Sequence, residues 1–128
     1  MTTKEDIEAW LDRMELSVES LADDLWLLRT ESGTELAVNF APPLVVLRTQ
    51  VLQLPSDPLR AGALCRMLLE FNARDLIHGS YGVEGDHVVL TDAHDLADLD
   101  FSEFEASVDS LTLALASHAS SLAPYGEG

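Results

Sequence analysis

At two places the sequence is apolar at every position through a strand-like stretch: Leu25-Trp26-Leu27-Leu28 and Leu44-Val45-Val46-Leu47. Side chains alternate across a strand, so a sheet with one face on helices and one in water should alternate apolar and polar residues. These two runs are apolar on both faces. Leaving Leu or Val side chains in water forfeits about 1.5–3 kcal/mol each and invites aggregation. Something must cover the second face: helices of the same chain, a second subunit, or an apolar segment of another protein. Helices wrapping both faces is the plainer account, and a surface kept for a partner is the functional one. On the latter, Leu25, Leu27, Val45 and Leu47 are the strand candidates.

The runs sit in a definite order of elements. Thr3 is the expected N-cap of a first helix, with Asp6 three residues on as a weak capping box. Ile7, Trp10, Leu11 and Met14 recur at helical spacing along it. After the first apolar strand, Glu31-Ser32-Gly33-Thr34 reads as a turn, and Leu36, Val38 and Phe40 alternate in a second strand. Pro42-Pro43 stops that strand, and a third runs from about Leu44 to Leu54. Asp57-Pro58 opens a middle helix carrying Leu59, Ala63, Leu64, Met67, Leu68 and Phe71, which ends near Asn72. Its apolar arc is broad, so more than one of its surfaces should be covered.

Ser80 to Val83 and His87 to Leu90 flank Glu84-Gly85-Asp86 as a second hairpin. An acidic loop is expected from Thr91 to Asp100. Asp100 then caps a last helix, with Glu103 at the capping-box position and Phe101, Phe104, Val108, Leu111, Leu115, His118 and Leu122 at three- and four-residue spacing. The tail from Ala123 to Gly128 should fray. The expected fold is α+β, an antiparallel sheet with helices in the order α-βββ-α-ββ-α, as one domain over residues 1–128.

Charge narrows the partners. Acids outnumber bases 23 to 7, a formal charge of −16, so phosphate backbones and anionic membranes are repelled. Nucleic acid and membrane are excluded as partners on that ground, and a basic protein segment would be drawn in at low salt. Hydrophobic residues at 47% are too many for a disordered acidic chain. No apolar stretch approaches the ~18–20 residues of a membrane span. The N-terminus opens on a helix cap and acids rather than a basic region before an apolar run, which predicts no signal peptide and a cytoplasmic protein.

Chemistry is sparse. Cys65 lies in an apolar helical run and reads as a structural thiol. His78, His87, His94 and His118 fall on different elements, without HExxH or a close His–Cys pair. His94 lies among Asp92, Asp95, Asp98 and Asp100, which could supply oxygen ligands. That loop lacks the glycine and ligand spacing of a calcium loop, and a solvated acidic loop pinned by Leu96 and Leu99 is the better account. His118 reads as a core or edge histidine. Trp10 and Trp26 could line a pocket but fit as core or interface anchors. There is no Gly-x-Ser-x-Gly elbow and no phosphate loop with a lysine. The expectation is a non-enzyme without cofactor or metal. The rival is a small-molecule or metal-binding enzyme built on the loop around His94.

Three local patterns, in order, resemble a known group: Leu68-Leu69-Glu70-Phe71-Asn72 ending the middle helix, Tyr81-Gly82-Val83-Glu84-Gly85-Asp86-His87-Val88-Val89-Leu90 as the hairpin, and Leu99-Asp100-Phe101-Ser102-Glu103-Phe104 opening the last helix. Together they resemble the type III secretion chaperone superfamily, including the YbjN-like bacterial proteins. The resemblance implies a non-catalytic, acidic, cytosolic homodimer that holds a partly extended segment of a client or effector. It also implies pairing through roughly Asp57 to Val83, which adds Leu64, Met67, Leu68, Phe71, Tyr81 and Val83 to the candidate partner or dimer surface. For the YbjN-like group it implies a regulatory protein–protein module without an export role.

Overall fold

The computed structural model describes residues 1–126. Helix α1 (Lys4–Arg13) starts with both halves of the capping box: the Asp6 N–H donates to Thr3 Oγ1, and the Thr3 N–H donates to Asp6 Oδ2. The Thr3 backbone N–H first, and the Thr3 side chain second, hold the Asp6 carboxyl below its ordinary range. Four strands follow: β1 (Ser17–Ala22), β2 (Leu25–Arg29), β3 (Glu35–Ala41) and β4 (Leu44–Gln53). Then come α2 (Pro58–Arg74), β5 (Ser80–Glu84), β6 (His87–Asp95) and α3 (Phe101–Leu122). The strands form one antiparallel sheet in the order β1-β2-β3-β4-β6-β5.

The α+β class and the run of elements are as expected, with one strand more. β1, Ser17-Val18-Glu19-Ser20-Leu21-Ala22, is a mostly exposed edge strand, and only Val18 within it is partly buried. An edge strand that buries so little carries almost no apolar alternation, so nothing in its composition announces it. β6 also runs on to Asp95, through the first half of the expected acidic loop. Its partner β4 is long enough to template those residues, from Thr91 opposite Arg48 to Asp95 opposite Leu44.

The interior is one cluster on one side of the sheet. Trp26, Leu28, Val38, Val45, Leu47, Val88 and Leu90 point into it from the strands. Ile7 and Leu11 of α1, Leu64 and Leu68 of α2, and Phe104, Val108, Leu111 and Leu122 of α3 close over them. Gly79, at φ +78°, precedes β5 where a Cβ would lie 2.7 Å from both Leu111 Cδ2 and the Thr91 carbonyl oxygen. Only glycine fits so close to α3 and β6.

α3 is capped by Asp100, whose Oδ1 accepts from the Glu103 N–H at 2.8 Å. Asp100→Ala should lower unfolding free energy by about 1 kcal/mol, seen as a lower urea midpoint at unchanged slope. Beyond α3, Ala123–Tyr125 form a 3-10 turn rather than a fray. Arg60 of α2 donates to the Pro124 carbonyl and lies 5.8 Å from the Tyr125 ring centroid. Of the tail expected to fray, Glu127 and Gly128 lie outside the described residues. Among the described residues no helix is long and apolar enough to cross a membrane.

Candidate partner-binding site

All the helix residues of the core lie on the same side as Trp26, Leu28, Val45 and Leu47, so the helices of this chain close one face of the sheet. The other face carries Leu25 opposite Asn39, Leu27 opposite Ala37, Val46 opposite Ala93, and Leu44 opposite Ala41. Leu25, Leu27, Ala37 and Val46 are half-buried, while Leu44 and Ala93 are exposed. The second apolar face inferred from the sequence is real, and among the described residues no helix wraps it.

This face runs into a groove. β4 continues past the Ala37–Arg48 pair, the last it makes with β3, and among the described residues its distal half pairs with β6 alone. Beside that half lies the C-terminal part of α3. The space between is a groove of about 780 Å³, whose apolar lining includes Leu27, Ala37, Val51, Leu52, Leu115 and Leu122. Glu35, Arg48 and Gln50 supply polar groups at its side. Leu27 and Ala37 belong both to the groove and to the open face, so the two are one apolar strip. Arg48 also pairs with Glu84 across the open face, and its hydrogen bond holds the Glu84 carboxyl below its ordinary range.

A second surface lies on α2. Leu59 and Leu69 are 84% and 66% exposed, with Gly62, Ala63 and Arg66 between them on the same stripe. The broad apolar arc of this helix is therefore not fully covered within the chain. Met67 and Phe71 are half-buried at its flank, and Val83 of β5 is exposed.

The ten residues singled out from the sequence thus divide. Leu25 and Leu27 lie on the open face, and Met67, Phe71 and Val83 on α2 and β5. Val45, Leu47, Leu64, Leu68 and Tyr81 point into the core and have no surface to offer a partner in this conformation. Strand alternation sends Val45 and Leu47 inward with Trp26 and Leu28, and Leu64 and Leu68 share the inner stripe of α2 at four-residue spacing. The groove residues Val51, Leu52, Leu115 and Leu122 stand outside that set of ten. The turn Glu31-Ser32-Gly33-Thr34 marks where β3 begins, but nothing in the sequence says how far β4 outruns it beside α3.

The titratable residues gather elsewhere. His94 lies on β6, not in a loop, with Nε2 3.0 Å from Asp92 Oδ2 but outside hydrogen-bond geometry. Asp92 Oδ2 accepts instead from Ser107 Oγ of α3 at 2.6 Å. His87 approaches Asp86, and Cys65 is half-buried on α2. Among the described residues no three His, Cys, Asp or Glu side chains are grouped to hold a metal ion. Another polar cluster surrounds Tyr81. Its N–H donates to Asn72 Oδ1 at 2.7 Å, and its carbonyl accepts from Asn72 Nδ2 at 3.0 Å. Its hydroxyl meets His118 Nδ1 at 2.7 Å, while His118 Nε2 meets Asp75 Oδ2 at 3.0 Å. Burial, with the Asp75 charge second, pushes the Tyr81 hydroxyl up to about 12.

The CesT_Tir_1 family model matches residues 1–127. The chain belongs to this type III chaperone family. Its CesT_Tir_1 fold is shared with several solved structures. SpcU and ExoU, the heterodimeric complex from the type III secretion system of Pseudomonas aeruginosa, gives a TM-score of 0.69 at 22% identity, covering 94% of this chain and 98% of that one. YbjN from E. coli gives 0.67 at 12% identity, with 92% of each chain covered. The ExsC–ExsE complex gives 0.58 at 18% identity, covering 89% of this chain and 92% of that one. These likenesses are of fold. No curated protein matches the sequence. As a CesT_Tir_1 chain it is a protein-binding chaperone.

Proposed function

We propose that this chain is a non-catalytic cytoplasmic chaperone that pairs with a second copy through α2 and β5 and holds an extended client segment along its open apolar strip. The strip carries the reading: Leu25, Leu27, Ala37 and Val46 lead without a break into the groove between β4 and α3. An extended segment laid there would cover apolar side chains that the fold leaves half in water, and could use the free edge of distal β4 for main-chain hydrogen bonds. The chain's −16 charge favours basic clients, more so at low salt. The complexes of SpcU with ExoU and of ExsC with ExsE support a protein as the partner.

Pairing is supported by the uncovered stripe Leu59–Leu69, where Gly62 and Ala63 would let a second helix approach closely. Leu69→Glu tests it. The side chain is exposed, so unfolding of the monomer should change by no more than about 0.5 kcal/mol. Light scattering of the wild-type protein at micromolar concentration should give the mass of a dimer, and the variant should give a monomer. A wild-type monomer, or a variant that stays dimeric, rules out pairing through this stripe.

A further inference from the structure

β5 is one of the two edges of the sheet, yet it offers a neighbouring strand little to bond with. Both backbone groups of a strand residue point to the same side, and successive residues alternate. Those of Tyr81 turn away from β6 and go to Asn72, in the last turn of α2. The Tyr81 N–H donates to Asn72 Oδ1 at 2.7 Å, and Asn72 Nδ2 donates to the Tyr81 carbonyl at 3.0 Å. By alternation the other outward groups of β5 are those of Val83, while Ser80, Gly82 and Glu84 face β6. One residue of the edge is left open. β1, at the opposite edge, differs: among the described residues the one side chain bonded to its backbone is its own Ser20, 3.4 Å from the Ala22 carbonyl.

The two bonds have the form of a strand contact. Residues facing each other in a hydrogen-bonded antiparallel pair exchange an N–H and a carbonyl in each direction. The Asn72 carboxamide offers Tyr81 the same two groups. Its orientation is fixed, since the N–H needs the amide oxygen and the carbonyl needs the amide nitrogen. Asn is among the weaker helix formers, so propensity does not account for it inside α2. Rings hold it in place. Phe71, the residue before it, stacks on His118 of α3 with centroids 3.7 Å apart and planes 2° from parallel. The Tyr81 ring lies 6.0 Å from Phe71, and its hydroxyl meets His118 Nδ1 at 2.7 Å. α2, α3 and β5 are thus fastened together beside Asn72, which is itself half-buried.

We propose that Asn72 stands in for a neighbouring strand and closes the β5 edge, so that a second copy meets this side through side chains and does not continue the sheet. An unpaired edge is a template for runaway strand pairing, and covering it with a helix is one remedy. Here a single side chain of that helix completes the cover. A strand docking on β5 would have to displace Asn72 and leave a half-buried carboxamide without its partners. With Asn72 in place Val83 alone is open, far short of the ~5–6 residues of an ordinary strand. Leu59, Leu69 and Val83 are exposed, so a second copy can still pack on this side. An extended segment that adds to the sheet is left with β1 or distal β4. That a second copy comes to this side rests on the pairing proposed above; the closed edge does not.

Amide hydrogen exchange and light scattering test the closed edge together. In the wild type the Tyr81 amide should be equally protected at micromolar and near-millimolar protein, because its partner lies in the same chain. In Asn72→Ala at the lower concentration that amide should exchange about tenfold faster, the loss expected for one hydrogen bond. At the higher concentration the Tyr81 and Val83 amides should slow together, and the mass should rise above that of the wild type as β5 strands pair. Adding Val83→Pro to Asn72→Ala removes the other outward donor and should return the mass to the wild-type value. A folded Asn72→Ala with the wild-type mass at both concentrations overturns the proposal, as does association that survives Val83→Pro. Wild-type protection of Tyr81 that is lost on dilution overturns it too, whether or not Asn72→Ala folds. The wild-type mass reports separately whether a second copy pairs at all.

Discussion

Phe104→Ala should lower the unfolding free energy by about 3–5 kcal/mol, the cost of deleting a large aromatic side chain from a closed core. Phe104 is fully buried one turn into α3, where its ring lies 5.7 Å from Trp10 of α1. Trp10 in turn meets Phe101 at 6.3 Å in an edge-on arrangement, and the Arg13 guanidinium sits 4.1 Å above Phe101. One ring therefore joins the first and last helices over the sheet, and few side chains could shift to fill its place. A domain of this size is stable by about 5–15 kcal/mol, so the change removes a large part of the whole. Urea unfolding should show a much lower midpoint with the slope kept. Leu113→Ala on the same helix is the control: Leu113 is 68% exposed and should change stability by no more than about 0.5 kcal/mol. A cost below about 1.5 kcal/mol at Phe104 would mean that α1 collapses onto the gap, and that the first helix is not held rigidly against α3.

The same helix shows what a sequence discloses about such a fold. α3 was legible because burial of one face over six turns leaves a long periodic record, from Phe101 to Leu122, and its cap Asp100 bonds as its spacing predicts. The two-faced sheet was legible too, because apolar residues at consecutive strand positions have no other simple explanation. Which of them would be left open was not. Leu27 and Leu47 look alike in sequence, yet register puts Leu47 in the core and Leu27 in the groove. Register depends on pairing between distant strands, and local composition carries little of it. β1 escaped for the opposite reason, being an edge that buries almost nothing. Asp92 and His94 read as loop residues because neither favours a strand, but β4 offers a ten-residue template that overrides them. The Tyr81 cluster joins residues 43 positions apart at its widest, between Asp75 and His118, through hydrogen bonds that no spacing rule anticipates.

Leu27→Asp should weaken client binding by about 30-fold or more, the loss expected when a central apolar anchor of an interface is removed. Leu27 is the residue at which the open face and the groove meet, so a carboxylate there interrupts the strip at its middle. The substitution places a charge that a docked segment would have to bury without a partner, which adds a desolvation cost to the lost apolar contact. It also makes an acidic protein one charge more negative, and long-range attraction of a basic client would rise, not fall. Leu113→Asp makes the same charge change on the exposed side of α3, away from the groove lining. It should alter affinity by no more than about threefold, an electrostatic change that added salt should diminish. The measurement is titration calorimetry with the segment of whichever protein co-purifies from the native cell, on variants whose urea midpoints have been matched to the wild type. Equal losses in the two variants would mean that charge, and not the strip, governs binding, and that the client is not basic. Undiminished affinity in Leu27→Asp would move the client off this face, leaving the exposed stripe of α2 to hold it and the open sheet to be covered by a second copy of the chain.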